Sequence, residues 1–212
     1  MTTALLNAQG LACTRGNQRL FSDINLQLGT GQWLYLQGEN GAGKTSLLRI
    51  LAGLTLPTEG NVLWQDSPIG KQRSQYHQDL LYIGHHAGLK EDLTLTENLQ
   101  AQLAIDGIQA SAAAIRDALT QMGLGKRQHL PARVLSAGQK RRGLLARALL
   151  RPAKLWILDE PFNALDVQAI AQVQNLLKTH LAQGGLLVLT SHQTPDLGQD
   201  AAGFILNLSG AR

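Results

Sequence analysis

The stretch Gly38 to Ser46, GENGAGKTS, constrains this chain more than any other, because it fits G-x-x-x-x-G-K-[ST] with Gly38, Gly43, Lys44 and Thr45 in the fixed places. Such spacing makes a phosphate grip. Glycines at 41 and 43 can take backbone angles closed to other residues, so consecutive N–H groups can turn inward as an anion nest at the start of a helix, where the helix dipole adds to the pull. Gly38, Glu39, Asn40, Gly41, Ala42, Gly43, Lys44, Thr45 and Ser46 are therefore the candidate nucleotide-binding run. Lys44 would reach the β- and γ-phosphates as a flexible point charge, and the Thr45 hydroxyl would hold Mg²⁺, which prefers few protein ligands and keeps several waters. Trp33 to Leu36 is an apolar strand running into the loop, and Leu47, Leu48, Ile50 and Leu51 give the following helix an apolar face.

The chain has 212 residues, 44% of them hydrophobic, which is enough for one domain over 1–212 with a sizeable core. The net charge of +4 is modest and compatible with anionic partners without demanding them, and a solvated helix face explains the one basic triplet, Lys140-Arg141-Arg142, equally well. A single cysteine, Cys13, excludes an internal disulfide framework and fits a reducing compartment. No basic-then-apolar leader is visible, and no apolar run approaches the roughly 18 residues that span a bilayer. A cytoplasmic location follows, with any membrane role resting on a separate chain.

Ala4–Thr14 and Arg19–Leu28 read as two antiparallel strands about a Gly16-Asn17 turn, the second alternating through Leu20, Ser22, Ile24, Leu26 and Leu28. After the loop helix come a short strand at Asn61–Trp64, a polar, loop-like segment from Ser67 to Gln78, and a buried strand at Leu80–Ile83 that Gly84-His85-His86-Ala87-Gly88 ends. A helical insert, approximately 88–150, follows: Thr94 with Glu97 and Ser136 with Gln139 have capping-box spacing, and Leu99, Leu103, Ile115, Leu119 and Met122 are spaced for helix faces. Leu155–Leu158 and Leu186–Thr190 are buried strands on either side of a helix from Val167 to Leu181, and Phe204–Leu206 is a final edge strand. The expected class is α/β, with a mostly parallel core sheet covered by helices, N-terminal antiparallel strands and a helical subdomain.

Asp159 and Glu160 end an all-apolar strand, at the sheet edge where ligands of open α/β folds bind. Asp159 is the candidate partner of Thr45 at the metal, and Glu160 the group that orients or deprotonates an attacking water. A strand-ending acid can also simply cap the next helix; Pro161 and the phosphate loop argue for the catalytic reading.

Leu135-Ser136-Ala137-Gly138-Gln139 resembles the LSGGQ signature of ATP-binding cassette (ABC) ATPases, with Ala137 in place of the first glycine. Asn163-Ala164-Leu165-Asp166 resembles that family's D-loop, and Thr190-Ser191-His192 its switch-histidine region. The motifs occur in the family's order across nearly the whole chain. The resemblance implies a P-loop NTPase of the ABC type that hydrolyses ATP with Mg²⁺, Lys44, Glu160 and His192 serving catalysis. It also implies a head-to-tail homodimer in the ATP-bound state, in which Leu135–Gln139 of one copy faces ATP held by the other. His192, an ordinary polar residue if taken alone, would then contact the γ-phosphate and hold Glu160 and the water in line.

Two positions depart from the family pattern. Arg15 stands where many members place an aromatic residue against adenine, and a guanidinium can stack on a base as well. His85 takes the position of the Q-loop glutamine. Within the family, Val62-Leu63-Trp64, Tyr76-His77-Gln78 with Leu80 to His85, and Leu155 to Phe162 are similar to the small ATP-binding subunit of the cytochrome c maturation haem export system. That similarity implies integral membrane partner subunits, a peripheral position on the cytoplasmic face of the inner membrane, and haem export or release of haem-loaded chaperone. The alternatives are a soluble ABC ATPase acting on nucleic acid or ribosomes and an ATP-gated clamp with little turnover. Paired cassettes, long insertions and coiled coils, usual in the soluble class, are not visible, so no nucleic-acid partner is expected. Direct haem ligation is not expected either, because C-x-x-C-H is missing and the neighbours His85 and His86 rarely converge on one iron. Leu89, Leu93, Leu95 and Leu99 are candidates for a partner-binding groove or for packing of the helical insert.

Overall fold

The computed structural model describes residues 4–85, 88–198 and 201–208; His86 and Ala87 lie outside them. Strands β1 (Ala4–Arg15) and β2 (Gln18–Gly29) pair antiparallel, with Arg15 opposite Gln18 at the turn. Strand β3 (Trp33–Gln37) leads through the phosphate loop into helix α1 (Lys44–Leu51). Strands β4 (Glu59–Trp64) and β5 (Ser67–Pro68) complete a four-stranded sheet in the order β2-β1-β4-β5. The expected alternation along β2 holds for Ile24 and Leu28 but changes phase at Asp23. That residue has a φ of 51° beside register shifts in the pairing with β1, and the kink turns Phe21 rather than Ser22 inward, leaving the Phe21 ring fully buried.

The segment from Ser67 to Gln78 is not a loop. It holds β5, a 3₁₀ turn at Ile69–Lys71 and helix α2 (Arg73–Asp79). Only Ile69 and Tyr76 are buried in it, too few to write a helical period, yet the Tyr76 hydroxyl donates to the Leu51 carbonyl and its ring packs 5.7 Å from Trp64. His77 Nε2 lies 3.3 Å from the Ala52 carbonyl, so two side chains tie the segment to the end of α1.

After β6 (Leu80–Ile83) come helices α3 (Leu95–Ile105), α4 (Ala112–Gln121), α5 (Ala137–Leu145) and α6 (Arg147–Leu150), then β7 (Leu155–Asp159), α7 (Val167–Ala182), β8 (Leu186–Thr190) and β9 (Gly203–Asn207). Both capping boxes form: Thr94 and Glu97 close the start of α3, Ser136 and Gln139 the start of α5. The second sheet has the order β6-β7-β8-β3-β9, with every pair parallel and β9 at the edge. Strands β3, β7 and β8 are apolar up to the Gln37, Asp159 and Thr190 that end them, because both faces are covered, whereas the edge strand β9 is largely exposed. Leu34, Leu36, Ile157 and Val188 join the core shared with α1 and the antiparallel sheet, while Tyr35, Trp156, Leu158, Leu187 and Leu189 join the core shared with the helices. Leu95 and Leu99 belong to that second core and are buried, so they pack the helical segment and form no groove. Among the described residues no helix is long and apolar enough to cross a membrane.

Candidate active site

Three neighbouring strands end together at one edge of the parallel sheet. Thr190, at the end of β8, pairs with Leu36 of β3 on one side and with Asp159 of β7 on the other. The phosphate loop therefore leaves β3 one strand away from the acidic pair, with Thr190 between them. Gly43 opens α1 at a φ of 96°, a backbone angle that favours glycine, and a Cβ there would lie 3.1 Å from the side chains of Leu20 and Phe21, which would have to give way. The Lys44 ammonium donates to the carbonyls of Gly38, at 2.7 Å, and Glu39, at 3.1 Å.

The Thr45 hydroxyl donates to Asp159 Oδ2 at 2.8 Å, which brings the two metal candidates into contact. The other oxygen, Asp159 Oδ1, accepts from the Thr190 hydroxyl at 2.7 Å, and that hydroxyl in turn accepts from the Glu160 N–H at 2.9 Å. Glu160 itself sits at a φ of 55°, a left-handed conformation uncommon for a residue with a side chain. Its Oε1 lies 3.8 Å from His192 Nε2. Behind the acidic pair, the Arg141 guanidinium donates to the carbonyls of Gly84 and Asp159. Burial pulls the Arg141 pKa down and the charges of Asp159 and Glu160 pull it back up; burial, then the Asp159 charge, raises the Tyr82 hydroxyl.

These groups border a cleft of about 490 Å³. It brings together Asn40, Gly41, Gly43, Lys44, Thr45 and Ser46 of the loop with Arg15, His85, Asp159, Glu160 and His192. Gln18 and Leu20 of β2 line it as well. Ala42 points into the core instead, and Gly38 and Glu39 face Lys44 with their carbonyls. Leu135 to Gln139 does not border this cleft. Ser136 lies exposed at the start of α5, and Gly138 presses so closely on the Ala164 carbonyl that no Cβ would fit. Asn163, Ala164 and Leu165 line an adjoining recess that shares Glu160 and His192 with the cleft, and Asp166 caps α7 by accepting from the Ala169 N–H.

Besides Gln18 and Leu20 of the lining, sequence reasoning missed Thr190 and Arg141 as site residues. Arg141 is 6% exposed, so the basic triplet is not a solvated face: Lys140 pairs with Glu91, Arg142 donates to the Met122 carbonyl, and Arg141 points inward. Its spacing with Leu144, Leu145 and Ala148 on one face of the helical run was the available signal. For Thr190 the signal was a lone hydroxyl ending an apolar strand.

A parallel sheet with a glycine-rich loop, an ammonium, a hydroxyl and two acids meeting at its carboxyl edge defines a nucleotide-hydrolysing domain. The family described as ABC transporter matches residues 21–163. The chain belongs to that ABC transporter family, as an ATP-binding, ATP-hydrolysing domain. It is similar to the cytochrome c biogenesis ATP-binding export protein CcmA of Methylococcus capsulatus, 51% identical over 99% of this chain and 100% of that one. The protein of the same name from Pseudomonas aeruginosa is 48% identical, over 89% of this chain and 93% of the relative. Among solved structures, an ATP-binding subunit of an ABC transporter superposes with a TM-score of 0.81 at 26% identity, covering 97% of this chain and 87% of that one. A dimeric ATP-binding cassette in a post-hydrolysis state, bound to ADP and phosphate, shares the fold with a TM-score of 0.83 at 21% identity, covering 97% and 95%.

Proposed function

We propose that this chain is the ATPase subunit of a membrane complex in c-type cytochrome biogenesis, with haem or a haem-loaded chaperone as the species its hydrolysis serves. It would lie peripherally on the cytoplasmic face of the inner membrane, bound to integral membrane subunits and without ligating haem itself. The naming of the relatives supports the biogenesis role. The observation that carries the hydrolytic role is the contact of Thr45 Oγ1 with Asp159 Oδ2 at 2.8 Å, beside Lys44 and with Glu160 next in the chain.

In this reading the loop from Gly38 to Ser46 binds the phosphates, Arg15 stacks on the base, and Lys44 draws charge off the β- and γ-phosphates. Thr45 and Asp159 are hard oxygen donors in contact, a donor set that suits Mg²⁺, whose charge would offset that developing on the phosphates. Glu160 takes the proton of the attacking water, and His192 orients Glu160 and the γ-phosphate. Leu135 to Gln139 completes the site of a second copy in the ATP-bound dimer, with Asn163 to Asp166 at the same interface. His85 links the cleft to the membrane partner.

Purification of the tagged chain from membranes tests this, with the Glu160→Gln variant beside it. The expected result is integral membrane subunits co-purifying with ATPase activity that the variant lowers by about 10² to 10⁴. Ribosomes or nucleic acid in place of membrane subunits would reject the assignment, as would haem held by the isolated chain for its second part.

A further inference from the structure

We infer that Thr190 is a positioning residue for both acids at once: its one hydroxyl sets the rotamer of Asp159 and the peptide orientation of Glu160. This rests on the reading of Asp159 as a metal ligand and Glu160 as the base. The hydroxyl is fully buried, donates to Asp159 Oδ1 at 2.7 Å and accepts from the Glu160 N–H at 2.9 Å, so its donor and one acceptor site are both spent on the acidic pair. Holding Oδ1 leaves Asp159 Oδ2 turned to Thr45, so that the two metal candidates lie oxygen against oxygen. Anchoring the Glu160 N–H helps keep that residue at its φ of 55°, a conformation its backbone would otherwise leave.

The strand order explains why this position can do so. Strand β8 runs between β3 and β7, so its last paired residue stands between the strand that feeds the phosphate loop and the strand that ends in the acidic pair. Valine fills the same volume without a hydroxyl. It would leave the Glu160 N–H unsatisfied in a buried site and free the Asp159 carboxylate to rotate. Groups that orient a metal ligand from behind are worth about 10- to 100-fold in affinity or rate.

The test compares Thr190→Val, Thr190→Ser and Asp159→Asn in the full chain, purified with its membrane subunits. Two quantities are read: nucleotide affinity titrated with and without Mg²⁺, and turnover. Thr190→Val should lower the gain in affinity that Mg²⁺ gives by about tenfold and turnover by about 10- to 100-fold, with Mg²⁺-free affinity within about twofold of the parent. Thr190→Ser, which keeps donor and acceptor, should restore both. A folded Thr190→Val that matches the parent in both quantities overturns the inference, and so does a Thr190→Ser as impaired as Thr190→Val. Should Thr190→Val not fold, Thr190→Cys takes its place: its thiol keeps the volume but bonds weakly, and parent-like values there overturn the inference equally. Asp159→Asn separates the two levels. If it keeps full Mg²⁺ dependence, the reading of the metal site fails; if it loses it while the Thr190 variants do not, only the role of Thr190 fails.

Discussion

His192 Nε2 stands 3.8 Å from Glu160 Oε1, with the histidine side chain 71% exposed and the glutamate 11%. The buried partner is therefore fixed by its surroundings, and the exposed partner is the one that can move toward a phosphate. With Glu160 as the proposed base and His192 as its proposed orienting neighbour, removing one or the other should then differ in degree. Glu160→Gln is expected to lower turnover by about 10² to 10⁴ while nucleotide stays bound, and so to accumulate the dimer. His192→Ala should lower turnover as well without weakening nucleotide binding. Single-turnover hydrolysis and sedimentation at saturating MgATP check this, and a monomeric Glu160→Gln protein at those conditions would count against the shared site.

Lys44 has a different task in the proposed mechanism. Its ammonium is held by the carbonyls of Gly38 and Glu39 in its own loop, an arrangement that aims it without neutralising it, since neither partner carries charge. Replacing it by alanine removes a preorganised charge from the phosphates and should cost about 10² to 10³ in rate. Nucleotide affinity should fall with it, in contrast to Glu160→Gln. Equal affinity in the two variants by fluorescent-nucleotide titration would contradict the division of labour.

Arg141 bears on stability more than on chemistry. It joins the helix that follows Ser136 to the last residue of β7 and to Gly84, directly before His85. Hydrogen bonds to a charged group contribute about 1.5–3 kcal/mol each, so Arg141→Ala should lose about 3 kcal/mol or more in unfolding free energy. Lys140→Ala removes only a surface pair with Glu91 and should lose under about 1 kcal/mol. Denaturant melts of the two variants decide it, and similar midpoints would show that Arg141 is not holding the three elements together.

The legible parts were those written locally. The loop consensus, the apolar runs at Trp33–Leu36, Leu155–Leu158 and Leu186–Leu189, and the two capping boxes each lie within a few consecutive residues, and all took the expected form. What was not legible depends on register between distant segments. That Thr190 faces Asp159 follows from β8 lying between β3 and β7, which no spacing along the chain reveals. The spacing of Arg141 with Leu144, Leu145 and Ala148 marks it as facing inward, but which carbonyls it meets there shows only once the helix is docked. Helix α2 escaped because it buries a single residue, Tyr76, and the phase change at Asp23 because a bulge inserts one residue into an otherwise regular pattern.

His180 provides a pH signature outside the cleft. Its ring lies flat on Trp156, with centroids 3.8 Å apart and planes 7° from parallel, and Nε2 is 3.0 Å from the Leu186 carbonyl. Burial pushes its pKa below the ordinary histidine value, an effect larger than the opposing pull of the Leu186 and Lys154 carbonyls. The unfolded chain then binds this proton more readily than the folded one, so the contribution of His180 is complete above about pH 6.5 and is lost as pH falls from there through the folded value. Thermal unfolding should accordingly show a loss of stability from pH 7.5 to pH 5.5 that is shallower in His180→Phe. Phenylalanine keeps the stacking but gives up the bond to Leu186, so the variant should start lower at pH 7.5 and lose less on acidification. An unchanged slope would mean that protonation of His180 is not coupled to folding and that other histidines carry the pH dependence.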